Sequence, residues 1–125
     1  MEKEIEVGLY NHDFNKILNT EIKQSKIIRS EGLISHLIKR KHFIALKYID
    51  SIPDIIKNPD YIGINPNEKE NASIEFVKCF KDNILLGIKV DSIKGRLYVS
   101  TMYDISDSKL KRRLYSKRLV PLDKK

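Results

Sequence analysis

SIEFVKCFKDNILLGIKVDSIKGRLYVSTMY, residues 73–103, holds three apolar runs separated by short polar turns. Ser73–Phe80, Asn83–Val90 and Arg96–Tyr103 are rich in β-branched and aromatic residues and read as strands. Lys81-Asp82-Asn83 and Ser92-Ile93-Lys94-Gly95 are the turns. Connections this short join antiparallel neighbours, so the stretch predicts a β-meander. Strict alternation places Leu97, Val99, Thr101 and Tyr103 on one face of the last strand, with Tyr98, Ser100 and Met102 on the other. On the same rule Lys78 shares a face with Ile74, Phe76 and Phe80, either at a strand end that opens to a cleft or with its stem snorkelling. Lys89 faces away with Leu85 and Gly87.

Upstream of the strands the period changes. Ser30 is placed to cap a helix with Glu31 in its first turn. Leu33, Ile34, Leu37, Ile38, Ala45, Tyr48 and Ile49 then recur at helical spacing. Ser51 and Pro53 mark a second helix start, and Pro59 ends that helix near Asn58. Asn58–Gly63 is a turn with an extended exit, and Asn65–Asn71 a polar loop. Ile5–Leu9 and Lys26–Arg29 are short strand candidates, with one or two helical turns at Asp13–Leu18. From Lys109 the chain returns to helical character through Leu110 and Leu114, thick with cations. The expected class is therefore α+β over residues 1–125 as one domain: N-terminal helices, an antiparallel meander, and a basic C-terminal helix or tail.

The chain carries 24 Lys and Arg against 17 Asp and Glu, a formal net charge of +7. That balance favours an anionic partner: RNA, DNA or an anionic membrane surface. Simple solubility is the bland alternative. Cys79 is the only cysteine, which rules out an intramolecular disulfide. The start, MEKEIEVGLY, is too charged for a secretory signal, and no apolar run has the length of a membrane span. A cytoplasmic protein is expected, in a host cytosol if it is delivered as a toxin. There is no phosphate-cradling glycine loop, nucleophile elbow or His-Glu-x-x-His site. The carboxylates are scattered, without the paired set of a two-metal nuclease, and neither a metal nor another cofactor is expected.

HLIKRKH (36–42), the Ile-Pro-Asp-Ile-Ile turn (52–56), NPDYIG (58–63), VKCFKDNILLGIKV (77–90) and RLYVSTMYDI (96–105), in that order, resemble the nuclease superfamily of barnase, EndoU, the tRNA-cleaving colicins and RelE. The likeness is to its phage-associated branch and covers roughly residues 27–118. It implies a helix-then-sheet architecture, metal-independent RNA cleavage, and a toxin or anti-host role. Barnase-like members set a glutamate base and a histidine acid on the sheet. The strands here offer no histidine, so shared chemistry implies catalytic groups on the helix.

Such cleavage needs a base for the ribose 2′-OH, an acid for the 5′-oxygen, and cations for the charge that develops on phosphorus. Histidine suits the first two roles. His36 and His42 lie about 240° apart on an unbroken helix, so only a break near Lys41 lets both face one phosphate. His42 is the first candidate acid or base and His36 the second, with a partly buried structural histidine as the alternative for His36. Lys41 and Thr101 complete the expected catalytic set. Lys78, Tyr103, Arg112 and Arg113 are expected to bind substrate. The expected function is a ribonuclease, with tRNA as one candidate substrate and an acidic immunity or antitoxin protein as a candidate partner. The rival is a non-catalytic basic nucleic-acid-binding module.

Overall fold

The computed structural model describes residues 3–66, 73–91 and 93–122. Strand β1 (Glu4–Leu9), helix α1 (Phe14–Leu18) and strand β2 (Lys26–Ser30) come first. Helices α2 (Leu33–Lys39), α3 (Phe43–Leu46) and α4 (Ile52–Lys57) follow, with a 3-10 turn at Ile49–Ser51. Then come β3 (Tyr61–Ile64), β4 (Ser73–Cys79), β5 (Asn83–Asp91), β6 (Arg96–Ile105), α5 (Asp107–Tyr115) and β7 (Leu119–Pro121). The seven strands form one sheet in the order β1-β2-β6-β5-β4-β3-β7.

This is a mixed α+β fold, and two expectations about it are corrected. Strands are interleaved with the helices rather than following them. The sheet is also more than a meander: β3 to β6 form one, but β2 joins β6 in parallel through Ile27↔Leu97 and Ile28↔Tyr98, and β7 adds to the far edge along β3. The physical reason lies in the edges. Both outer strands of a meander expose unpaired N–H and C=O groups, and β2 and β7 cover them. Most of the expected polar loop, residues 67–71, lies outside the described residues, as does Ser92 of the second turn.

Alternation sorts the two faces. Ile74 and Phe76 of β4 and Ile84, Leu86 and Ile88 of β5 pack with Phe14, Leu37, Ala45, Ile52 and Ile55 in the main core under helices α1–α4. The opposite face carries Val77, Leu85 and Ile105, covered by Leu110 of α5 and by Leu119. Each buried Val, Leu, Ile or Phe contributes about 1.5–3 kcal/mol. The Ser106 side chain starts α5 by accepting from the Lys109 amide at 3.1 Å, which satisfies one of the free donors at the helix start.

The long helix expected after Ser30 is broken. Lys41 adopts φ 59°. Its amide donates to the Ile38 carbonyl at 3.0 Å, and the His42 amide donates to the Leu37 carbonyl at 2.8 Å. These two bonds around a left-handed residue are a Schellman ending, which closes α2 and turns the chain so that His42 heads α3.

Tyr10 is wholly buried, its hydroxyl donating to Asn15 Oδ1 at 2.8 Å. Burial raises its pKa above 10.0, against a smaller lowering from the Thr20 bond. A raised folded-state pKa means that the folded chain holds this proton more tightly than the unfolded chain. Its stabilising contribution is therefore complete below pH 10 and is lost as pH rises towards the folded value. Urea midpoints measured between pH 9 and 11 are expected to fall more steeply in the native protein than in Tyr10→Phe.

Candidate active site

One row of cross-strand partners runs over the face away from α1–α4. Thr101 (β6) pairs with Gly87 (β5), Gly87 with Glu75 (β4), Glu75 with Gly63 (β3), and Gly63 with Leu119 (β7). A carboxylate thus stands between two glycines. Each glycine gives way to a neighbour. A methyl group on Gly63 would lie 1.8 Å from the Arg118 carbonyl oxygen, and one on Gly87 would lie 2.6 Å from Thr101 Cγ2. Gly63 lets the β7 backbone close over the row, and Gly87 lets Thr101 lean towards Glu75.

Glu75 is 2% exposed. The Arg118 guanidinium grips it with two bonds, Nε to Oε1 and Nη2 to Oε2, each 2.8 Å. Arg113 Nη1 lies 3.8 Å from Oε2, and it also contacts the Tyr103 hydroxyl at 3.5 Å. The carboxylate bond raises the Arg118 pKa above its ordinary value, so this guanidinium stays charged. Lys117, at φ 65°, ends α5 and swings the chain so that Arg118 points inward. The His42 ring lies 6.1 Å from that of Tyr103. Residues of β6, α5 and the β7 approach therefore converge around one buried carboxylate, and His42, at the head of α3, meets this group only through Tyr103.

Thr101 and Tyr103 reach this face because of a bulge. The β5–β6 register shifts after Gly87, whose partner is Thr101, so that Ile88 pairs with Val99. Ser100 is the extra residue, its hydroxyl donating to the Gly87 carbonyl at 3.1 Å. The expected alternation is corrected accordingly: Leu97, Val99 and Met102 face the main core, while Thr101 and Tyr103 turn to the opposite side. Gly87→Ala is expected to cost about 1–3 kcal/mol by overpacking. Adding Thr101→Ser removes the clashing methyl and should recover most of that loss in a denaturant titration.

A family model described as phage-Barnase-EndoU-ColicinE5/D-RelE like nuclease 3 matches residues 5–112. The chain belongs to this family of nucleases. No curated protein and no solved structure matches it. The nuclease family's match takes in His42, Gly63, Glu75, Gly87, Thr101 and Tyr103 and ends at Arg112, so Arg113 and Arg118 stand just beyond it.

The remaining expected site residues of this nuclease are dispersed. Lys78 lies on the helix side of β4, donating to the Asn58 carbonyl at 2.8 Å and pairing with Asp54 at 3.8 Å. It closes the end of α4 on the face opposite Glu75. His36 and Lys41 are exposed, and the break at Lys41 turns only His42 toward β6. Arg112 and Arg113 line a cleft of about 770 Å³ beside α5, and Arg118 shares it. Sequence reasoning passed over Glu75 and Arg118. The signals were an acid inside a buried strand and glycines in mid-strand, which mark places where other chain segments come close. Among the described residues no three His, Cys, Asp or Glu side chains cluster as metal ligands, and no helix is long and apolar enough to cross a membrane.

Proposed function

We propose that this nuclease is a metal-independent endoribonuclease that cleaves by transesterification of the ribose 2′-OH. The observation that carries the reading is Glu75: a buried carboxylate between two guanidiniums, on the sheet face opposite the main core. Phosphate competes with the carboxylate for Arg118 and Arg113, since both anions match the guanidinium fork. A seated phosphate draws those cations to itself and frees a Glu75 oxygen to take the 2′-OH proton. The 2′-oxygen then attacks phosphorus, and the two arginines stabilise the charge that builds there. His42, beyond Tyr103, protonates the departing 5′-oxygen. The products are a 2′,3′-cyclic phosphate and a 5′-OH. Thr101 and Tyr103 orient the ribose and phosphate, and tRNA belongs among the substrates. A toxin-like role fits a partner protein with an acidic surface that covers the same cations.

Two substrates test the assignments. An oligonucleotide with 2′-deoxyribose at one linkage should be cut everywhere except there, and cutting at that linkage would contradict transesterification. His42→Ala should lose about 10²–10⁴-fold on RNA yet keep near-native rates on uridine 3′-(p-nitrophenyl phosphate), whose leaving group needs no proton. Equal losses on both would remove His42 from the acid role. A non-catalytic binding module would cut neither substrate.

A further inference from the structure

The cleft beside α5 has two unlike walls. Lys109, Arg112, Arg113, Lys117 and Arg118 form one, while Ile17, Ile64 and Val120 stand among the residues of the other, and among the described residues no acidic side chain lines it. Arg113 and Arg118 are engaged by Glu75. Lys109, Arg112 and Lys117 are exposed, with no ion pair among the described residues.

Helix geometry explains the wall. Leu110 and Leu114 of α5 pack on the sheet, and positions 109, 112, 113 and 116, spaced by three and four, form the stripe beside them. Like charges at this spacing destabilise a helix unless an anion neutralises them. The opposite wall is apolar, with Ile17 42% exposed. A volume of about 770 Å³ is that of a small-ligand pocket. One cationic wall and one aliphatic wall match a single nucleic-acid strand: phosphates on one side, base faces on the other. Because Arg113 and Arg118 belong to both cleft and carboxylate site, a strand in the cleft is continuous with the phosphate at Glu75.

We propose that the cleft between α5 and the α1–β3 side is a subsite for single-stranded RNA next to the cleaved linkage. Lys109, Arg112 and Lys117 hold backbone phosphates without reading base identity, and the aliphatic wall accepts the bases. This rests on the ribonuclease reading and adds to it a substrate class, unpaired RNA, and a direction along which the strand leaves the site.

The test is binding of a fluorescent 2′-O-methyl hexanucleotide, which transesterification cannot cut, to the native protein and to Lys109→Gln/Arg112→Gln/Lys117→Gln. Anisotropy is followed over a KCl series, with the fold checked by circular dichroism. The triple variant should bind on the order of 10–100-fold more weakly, with the log–log salt slope smaller by about 2, as expected for three lost single-strand contacts. An unlabelled duplex of equal length should compete poorly. Unchanged affinity and slope in the variant, or a duplex that competes as well as the single strand, would overturn the subsite. Binding that falls as expected while unmodified RNA stays intact would support the cleft and sink the nuclease chemistry. RNA that is cleaved while the variant binds normally would do the reverse.

Discussion

Glu75→Gln is expected to slow cleavage of an RNA oligonucleotide by about 10²–10⁴-fold, the usual contribution of a general base. The change is chosen for its shape. The amide keeps the side-chain volume between Gly63 and Gly87, and its oxygen still accepts from Arg118 Nε, which lies 2.8 Å from Oε1 in the native protein. What it loses is the basic oxygen with its charge, and with them the second acceptor for Arg118 Nη2. A folded Glu75→Gln that cleaves within threefold of the native rate would make the carboxylate an anchor for β7 and nothing more. Affinity for an uncleavable oligonucleotide should hold or rise, because the arginines no longer face a competing carboxylate.

Arg118→Ala is expected to lower unfolding free energy by about 3 kcal/mol in a urea titration. Removing one partner of a buried ion pair usually costs about 3–5 kcal/mol, since the other charge stays behind without compensation. The Glu75 side chain is only 3% exposed, which favours a large loss. Arg113, 3.8 Å away, remains as a weaker partner and holds the loss to the lower end. The Lys26–Glu6 pair is the control: at 3.7 Å, with side chains 69% and 53% exposed, its removal by Lys26→Ala should cost below about 1 kcal/mol. Arg118→Lys should recover only part of the loss, because an ammonium cannot make the two parallel bonds of the guanidinium. A loss below 1 kcal/mol in Arg118→Ala would mean that Glu75 is hydrated and that β7 is held by its pairing with β3 and by Leu119.

The strands from Ser73 to Ile105 were legible because two-residue alternation and turn residues agree there. The break after Arg40 was not. Its left-handed position is filled by Lys41, where glycine would have announced a helix end. The bulge at Ser100 was equally silent: Val-Ser-Thr-Met reads as a regular strand, yet one extra residue moved Thr101 and Tyr103 to the other face. β7 is three residues long, too short to carry a period. Glu75 carries no distinguishing signal in the sequence beyond its place in an apolar strand. His42 heads α3, and its ring lies 6.1 Å from that of Tyr103.

The most direct test of the ribonuclease reading is end-group analysis of RNA incubated with the purified protein in EDTA, by mass spectrometry of the fragments. Fragments ending in 2′,3′-cyclic phosphate, each followed by one that starts with 5′-OH, are the predicted result. RNA that stays intact, or fragments that carry 5′-phosphates, would contradict a Glu75-based transesterification.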